Sequence, residues 1–218
     1  TYVSAVALAA SEIAREMQVP MVSAGSTSSA VTDANEAGDP WFFRAFPGSR
    51  EQAKQSATDV VDKLGASKIA VLHENSTYGS SLADQFRKDI EAAGGEIIAM
   101  ESYNAEERDF YSVLTQIRSQ QPDAIYIAGL MDAGAQIIRQ SAELGLDTQI
   151  VGSGSMMSDK LIELAGPASE GFAVSSMFEP ETPNEKGLAF AARFREKFDR
   201  EPDVYSALGY DSMSVIIE

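Results

Sequence analysis

The sequence predicts an α/β protein with parallel sheets, divided into two lobes. Short apolar runs rich in β-branched residues alternate with segments of helical periodicity for nearly the whole length, which is typical of strands connected through helices. The alternation is clearest in the middle of the chain and sparser at either side of it. The composition agrees, because 44% hydrophobic and 23% charged residues is ordinary for a globular protein.

The first part of the chain contains one long predicted helix and two short predicted strands. The helix, Ser4 to Gln18, is rich in alanine, and Ser4 is a suitable N-cap residue. The strands are Pro20 to Ser23 and Trp41 to Arg44. Two strands are too few for a stable parallel sheet. We therefore expect this part to belong to a first lobe whose opening strands precede Thr1.

The central part repeats a strand and a helix three times. Apolar runs predict strands at 68–72, 96–100, 124–128 and 149–151, and Gly94-Gly95 ends the first helix. The helical stripes between the strands consist of Tyr78, Leu82, Phe86 and Ile90; of Phe110, Val113, Leu114 and Ile117; and of Ile137, Ile138, Ala142 and Leu144.

The last part is predicted to be helical over 188–198 and 205–217, with Pro202 between the two helices. We expect these helices to return to the first lobe. The predicted domains are then 1–46 together with 176–218 for the first lobe, and 47–175 for a second lobe inserted into it.

Charge and composition exclude several classes of function. Asp and Glu outnumber Lys and Arg 33 to 17, and the resulting charge of −16 disfavours binding to nucleic acid or to an anionic membrane. No apolar run approaches the roughly 18 residues that span a bilayer, so direct membrane insertion of this segment is not expected. The absence of Cys suits an oxidising compartment.

Catalytic and metal-binding motifs are not apparent. The segment Gly152 to Ser155 lacks the spacing of a dinucleotide-binding fingerprint or of a nucleophile elbow. The single histidine, His73, follows an apolar run and is interpreted as a satisfied residue at the edge of a lobe. With one His and no Cys, a zinc site is not expected, and neither is a calcium loop. The sequence therefore predicts a protein that is not an enzyme, without cofactor or metal.

Residues with hydroxyl groups cluster where parallel sheets bind ligands, in the turns after the strands. Ser4 opens a helix, whose free N–H groups favour an anion such as a carboxylate. Segments 23–29, 74–79 and 152–155 each follow a strand. Any one of them is typical of a cap or a turn. Four at equivalent positions indicate a site for a small polar ligand.

Motifs in order along most of the chain resemble the leucine/isoleucine/valine-binding type of periplasmic receptor, the substrate-binding proteins of branched-chain amino acid ABC transporters. They are Ala9 to Ala14, Val19 to Ser23, Phe43 to Pro47, Tyr78-Gly79 before Leu82-Ala83, Phe110, Ala124 to Gly129, Leu144 to Leu146, Ala165-Gly166 and Glu170-Gly171. The resemblance implies the type 1 periplasmic-binding-protein fold, with two Rossmann-like lobes joined by a hinge. It also implies that one N-terminal βαβα unit and a C-terminal end lie outside this chain.

The same resemblance implies ligand-binding positions. In the family the solute lies between the lobes, and its carboxylate is held by residues that correspond to Ser4, to the turn Gly25-Ser26-Thr27 and to Tyr78. Where amino-acid binders place an acid for the ammonium group, this chain has Gly154. Met131-Asp132 opens a helix, and two interpretations of Asp132 stay open: a helix cap, or the acid that replaces the missing one. The ligand is accordingly an amino acid, or a carboxylate without an amine.

The function that the resemblance implies is capture of a small polar solute by hinge closure and its delivery to an ABC transporter permease. The location would be periplasmic or extracellular, with a lipid anchor at the N-terminus as a further expectation. The alternative is the ligand-binding domain of a sensory receptor or of a regulator, since both use the same fold.

Overall fold

The computed structural model describes residues 2–36, 38, 40–181 and 184–217. The chain divides into two compact units, one formed by Thr1–Gly48 with Ser176–Glu218 and the other by Ser49–Ser175. That these units are the two lobes of a receptor, with the domain limits expected from the sequence, stays a prediction.

Helices and strands alternate along the chain. In chain order the elements are α1 (Ser4–Met17), β1 (Met21–Ser23), α2 (Ser29–Glu36), β2 (Phe42–Arg44), α3 (Ser49–Thr58), a π-helical turn (Asp59–Lys63), β3 (Lys68–Glu74), α4 (Thr77–Ala92), β4 (Glu96–Tyr103), α5 (Tyr111–Ser119), β5 (Ala124–Ala128), α6 (Met131–Glu143), β6 (Gln149–Gly152), α7 (Asp159–Ala165), β7 (Ala173–Val174), α8 (Glu185–Phe198) and α9 (Val204–Ile217), with 3-10 turns at Gly154–Met156 and Gly166–Ser169.

The first unit is built on the parallel pair β1 and β2, in which Val22 lies beside Phe43. Ala7, Val31 and Phe42 form a small buried cluster between the helices and this pair. The C-terminal helices belong to the same unit. The Ser212 hydroxyl of α9 donates to the carbonyl oxygen of Ser23 at 3.0 Å, which ties α9 to the end of β1.

The second unit is a five-stranded parallel sheet in the order β4-β3-β5-β6-β7. Alternate residues of β3 enter two different clusters: Ile69 and Val71 pack with α3 and α4, whereas Ala70 and Leu72 pack with α5, α6 and α7. Every residue of the central strand β5 is buried. Helices therefore cover both faces of the sheet, and the carboxyl ends of the strands share one edge, which positions the turns that follow them.

The structure confirms the predicted α/β class with parallel sheets, and it corrects several predicted details. Pro20 lies outside β1, since its ring nitrogen has no hydrogen to donate to a ladder. Ser4 is not the N-cap of α1, because Val3 holds that position. Asp132 is not the cap of α6 either: Leu130 is the N-cap, and Asp132 lies in the first turn.

Three helices, α2, α3 and α7, were not predicted. In α3 the buried residues are small or polar, among them Ala53, Ser56 and Ala57, so the sequence shows no stripe of large apolar residues. None of the described helices combines the length and the apolar character needed to cross a membrane.

Candidate functional site

The turn after β1 is organised around the side chain of Ser23. Its hydroxyl oxygen accepts the backbone N–H of Ser26 at 2.9 Å and that of Gly25 at 3.3 Å. Ser23, Ser26 and Ser28 are fully buried. A buried turn must have its backbone groups paired, and here a strand-end serine pairs two of them. The predicted segment 23–29 is therefore a rigid polar turn.

Ser4 lies against this turn at the start of α1. The Ser26 hydroxyl donates to the Ser4 hydroxyl oxygen at 3.3 Å, and the backbone N–H of Ser28 donates to the same oxygen at 3.3 Å. The structure thus brings together Ser4 and the Gly25-Ser26-Thr27 turn, as the sequence predicted. The first N–H groups of α1 have no partner within the helix, as at any helix start.

Thr27 differs from its neighbours because its side chain is unused. It is 5% exposed, and its hydroxyl oxygen has no hydrogen-bond partner within the described part of the chain. The Arg44 guanidinium stabilises the backbone of the turn by donating to the carbonyl oxygens of Thr27 at 3.1 Å and Ser28 at 3.2 Å. Sequence reasoning missed this role of Arg44, although its position at the end of a strand was a signal.

In the second unit, Tyr78 lies in the first turn of α4. Its hydroxyl donates to the Ser155 hydroxyl oxygen at 3.3 Å. Ser153 and Ser155, which follow β6, both donate to the carbonyl oxygen of Gly129, at 2.9 Å and 2.7 Å. Burial raises the pKa of Tyr78, and hydrogen bonding with Ser153 and Ser155 partly offsets this rise. The phenol therefore stays protonated and able to donate.

Gly79 explains why a Tyr-Gly pair opens α4. Ser76 caps the helix by accepting the backbone N–H of Gly79 at 3.1 Å. A β-carbon at this position would collide with the carbonyl oxygen of Glu74 and would lie 2.9 Å from that of Ala128. Both obstacles are backbone atoms at the ends of β3 and β5. Only glycine lets the helix start so close to the sheet and bring Tyr78 to its edge.

The other predicted site residues occupy different surroundings. Gly154 opens the buried 3-10 turn after β6, and Met131, the first residue of α6, packs against the core. Asp132 is exposed. Its carboxylate raises the pKa of the exposed Lys160, after the larger effect of the hydrogen bond from Lys160 to Glu163. Asp132 therefore faces solvent and a lysine in this structure.

Two residues at the strand ends were not singled out from the sequence, although Glu74 lies in the predicted segment 74–79. Glu74 ends β3 and is 5% exposed, and Tyr103 ends β4 and is 7% exposed. The hydroxyl of Tyr103 has no hydrogen-bond partner among the residues described. The predicted strand stopped at Leu72, so the alternation that buries Glu74 was not extended to it. His73, by contrast, is half-buried and lies 3.2 Å from the Glu74 carbonyl oxygen through Nδ1.

No cluster of three or more potential metal-ligating side chains occurs within the described ranges. A cavity of about 380 Å³ lies at the opposite edge of the sheet, where β6 begins, and its lining includes Ser141, Thr148 and Gln149. It contains none of the predicted site residues, so the candidate site is the carboxyl edge and not this cavity.

Residues 1–218 match the family model described as periplasmic binding protein. The chain belongs to this family. It is 28% identical over 218 residues to Leu/Ile/Val-binding protein homolog 2 of Brucella abortus (strain 2308), a match that covers 98% of this chain and 56% of that protein. The type of receptor predicted from the sequence is thereby confirmed.

Solved structures of such receptors have the same fold. A leucine binding protein from Thermotoga maritima MSB8 matches with a TM-score of 0.91 and 30% identity, over 100% of this chain and 61% of that one. A branched-chain amino acid transporter substrate binding protein from Streptococcus pneumoniae, in complex with isoleucine, matches with a TM-score of 0.88 and 27% identity, over 99% and 61%. This periplasmic-binding-protein chain thus spans little more than half the length of the proteins it matches.

Proposed function

We propose that the protein is a solute receptor that captures a small carboxylate-bearing molecule, an amino acid or a related acid, and delivers it to an ABC transporter. The observation that carries this proposal is the Thr27 hydroxyl, buried yet without a partner in the described residues. A buried hydroxyl without a hydrogen bond is costly. A ligand oxygen would supply the missing partner.

A carboxylate suits this position because the surroundings donate hydrogen bonds. The first N–H groups of α1, a helix of 14 residues, form an anion-binding end. Ser4 starts that helix and touches the turn that contains Thr27. The N–H groups and the two hydroxyls together offer enough donors for both oxygens of a carboxylate without a nearby cation.

Tyr78 is the proposed donor from the second unit. In this structure its single proton is donated to Ser155, so a ligand carboxylate would replace Ser155 as the acceptor; the phenol remains protonated because burial raises its pKa. If Tyr78 and Thr27 bind the same solute, the solute favours the arrangement of the two units in which both contacts are made. Periplasmic binding proteins are a known example of such hinge closure.

The other end of the solute distinguishes the two ligand classes that the sequence left open. Gly154 offers no carboxylate for an ammonium group. Either another acid supplies it and the ligand is an amino acid, or the ligand is an acid without an amine. Asp132 was the sequence-based candidate for this acid, with Met131 beside it as a further contact.

The chemical fate of the bound solute and the cellular location of the receptor are proposed as well. Family membership makes this a solute-binding protein, and we propose in addition that it releases its ligand chemically unchanged. The family implies a location outside the cytoplasmic membrane. Docking to an ABC permease and an N-terminal lipid anchor are proposals of the same kind.

The test is a thermal-unfolding screen of the full-length protein. The probes are L-leucine, 4-methyl-2-oxopentanoate, benzoate and, as the control without a carboxylate, 3-methylbutylamine. A bound acid at about one hundred times its Kd would add about 2.7 kcal/mol to the free energy of unfolding, and the amine alone would add nothing. Stabilisation by the amine alone, or recovery of a chemically altered acid after incubation, would overturn the proposal.

A further inference from the structure

We propose that Glu74 and Tyr103 form a site for a cationic group of the ligand, so that the solute carries an amine as well as a carboxylate. The inference rests on the proposed function and narrows its ligand class. The ammonium group would then contact the ends of β3 and β4 in the second unit. Neither Gly154 nor Asp132 would bind it.

The two side chains stand next to each other at the carboxyl edge of the sheet. Strands β3 and β4 are parallel neighbours, and Glu74 is the register partner of Tyr103. Glu74 follows Ala70 and Leu72 on the same face of β3, since side chains alternate along a strand. Tyr103 packs edge-on against Phe110, with ring centroids 5.3 Å apart and planes at 87°. The position of the hydroxyl is therefore well defined.

Glu74 is unusual in its charge. Among the buried residues that the structure describes, it is the only one with a carboxylate or a cationic group in its side chain. No hydrogen bond or ion pair joins its carboxylate to another residue within the described ranges. A carboxylate that is mostly covered by protein and has no partner there favours a cation beside it. A ligand ammonium group would provide the missing counter-charge.

Tyr103 supplies a second ligand for that group. Its hydroxyl oxygen is buried and has no partner in the described part of the chain. Burial raises the pKa of Tyr103, and the charge of Glu74 raises it further. The phenol therefore stays neutral, and its oxygen can accept an N–H from the cation while Glu74 balances the charge.

The acid also lies near the proposed carboxylate donor. The charge of Glu74 contributes to the raised pKa of Tyr78, after the effect of burial. Both residues belong to the β3–α4 connection, only four positions apart. An α-amino acid presents its amine and its carboxylate on one carbon atom, so it needs an acid and a hydroxyl donor close together.

Asp132 fits this role less well. Its side chain is exposed and neighbours Lys160. An exposed carboxylate is screened by water and salt and keeps its own hydration. A ligand cation would therefore change the free energy of the Asp132 carboxylate only slightly. The buried Glu74, by contrast, would gain a counter-ion that no described residue provides.

The experiment measures calorimetric affinities of the full-length protein for L-leucine, 4-methyl-2-oxopentanoate and benzoate. Wild type should bind leucine tightest. Glu74→Gln should lower the affinity for leucine about tenfold or more. Its affinities for the two acids without an amine should stay within about twofold of those of wild type. Tyr103→Phe, which keeps the ring against Phe110, should weaken leucine by a smaller factor. Glu163→Gln, the same change at an exposed helix position, is the control and should change no affinity.

The unfolding midpoint of the unliganded variant shows whether Glu74→Gln is folded. Glu74→Gln keeps the size of the side chain, so the unfolding midpoint of the unliganded variant should stay within a few degrees of that of wild type. The inference is overturned if Glu74→Gln has the same affinity for leucine as wild type, or if wild type binds the other acids as tightly as leucine. It is also overturned if Asp132→Asn, and not Glu74→Gln, abolishes leucine binding. In those cases the proposed function stands. If wild type binds none of the three probes, the proposed function fails as well.

Discussion

At the scale of single residues, the hydroxyl groups of the first unit separate into two kinds. Ser23 and Ser26 use their side chains within the turn, at 2.9 to 3.3 Å from their partners. Thr27, next to Ser26 and also buried, has a hydroxyl with no hydrogen-bond partner in the described structure. The first kind stabilises the turn. The second kind is available to a ligand, and a substitution there tests binding separately from folding.

We predict that Thr27→Val weakens binding of a carboxylate ligand by a factor of about ten to one hundred, since a lost hydrogen bond to a charged group is worth about 1.5–3 kcal/mol. Its unfolding midpoint without ligand should not fall, because the hydroxyl has no partner to lose. Calorimetry and thermal unfolding measure the two quantities. Thr115→Val is the matched control. Its hydroxyl donates to the Tyr111 carbonyl oxygen at 2.6 Å within α5, so this variant should lose some stability and keep affinity. Equal affinity of Thr27→Val and wild type would contradict the assignment.

The sequence predicted part of this arrangement. Ser4, Ser26 and Thr27 come together as expected, because a helix start and a strand end meet at one edge of a parallel sheet. The predicted capping role of Ser4 was wrong, since its hydroxyl is engaged by Ser26 and Ser28. Glu74 lay in the predicted segment 74–79, but its pairing with Tyr103 was missed because it depends on the register of β3 with β4, which no local pattern shows.

At the scale of elements, the start of α4 is the connection that sets the position of Tyr78. The helix begins within two residues of β3, and its third residue, Gly79, passes over backbone carbonyls of two strands. Because the obstacles are backbone atoms, they cannot move aside as a flexible side chain would. The geometry of the helix start and the position of the Tyr78 hydroxyl are therefore coupled.

We expect Gly79→Ala to lower the free energy of unfolding by about 1–3 kcal/mol, the usual cost of an overpacked site, and to weaken ligand binding by displacing Tyr78. Gly187→Ala is a close control, since Gly187 is also the third residue of its helix and a β-carbon there would meet Asn184 at 3.8 Å, an ordinary contact. Alanine favours helix over glycine, so Gly187→Ala should be neutral or stabilising. Equal denaturant midpoints for the two variants would contradict the proposed packing.

The elements that the sequence predicted well are those with large apolar residues at a clear period. The strand Ala124–Ala128 has the predicted limits, whereas α3 escaped notice because its buried face consists of alanine, serine and glutamine. Helix–sheet packing through small residues leaves no hydrophobic period to detect. The strand limits at Glu74 and Tyr103 were missed because polar residues at a strand end are read as loop.

At the scale of the whole molecule, buried tyrosines make stability depend on alkaline pH. Burial raises the pKa of Tyr78, Tyr103 and Tyr126 above the value of 10.0 that tyrosine has when exposed. Above about pH 10 the unfolded chain releases these protons and the folded chain retains them. Each buried phenol therefore makes its full contribution to the free energy of unfolding below the pKa of the unfolded chain. That contribution is lost as the pH rises from this value through the higher pKa of the folded chain.

We predict that the free energy of unfolding is flat from pH 7 to 9 and then falls, with up to about 1.4 kcal/mol per pH unit for each tyrosine. Urea unfolding between pH 7 and 11 measures this slope. Tyr126→Phe, which keeps the ring stacked on Phe86 at 3.8 Å, should make the decline shallower. An identical slope in the variant, or no decline up to pH 11, would show that these phenols ionise freely in the folded protein.

The acidity of the chain acts at the same scale. A net charge of −16 repels nucleic acid and anionic membranes. The two compact units each have their own buried core. The central claim is that such a protein holds an intact, carboxylate-bearing solute.

Native mass spectrometry of the full-length protein tests that claim most directly. The protein is dialysed free of solutes, mixed with the small-molecule fraction of a cell extract, separated from unbound material and sprayed under non-denaturing conditions. We predict one added solute per chain, which after release carries a carboxylate and has the mass it had in the extract; retention of a solute without a carboxylate, of a converted product, or of no solute at all would contradict the account.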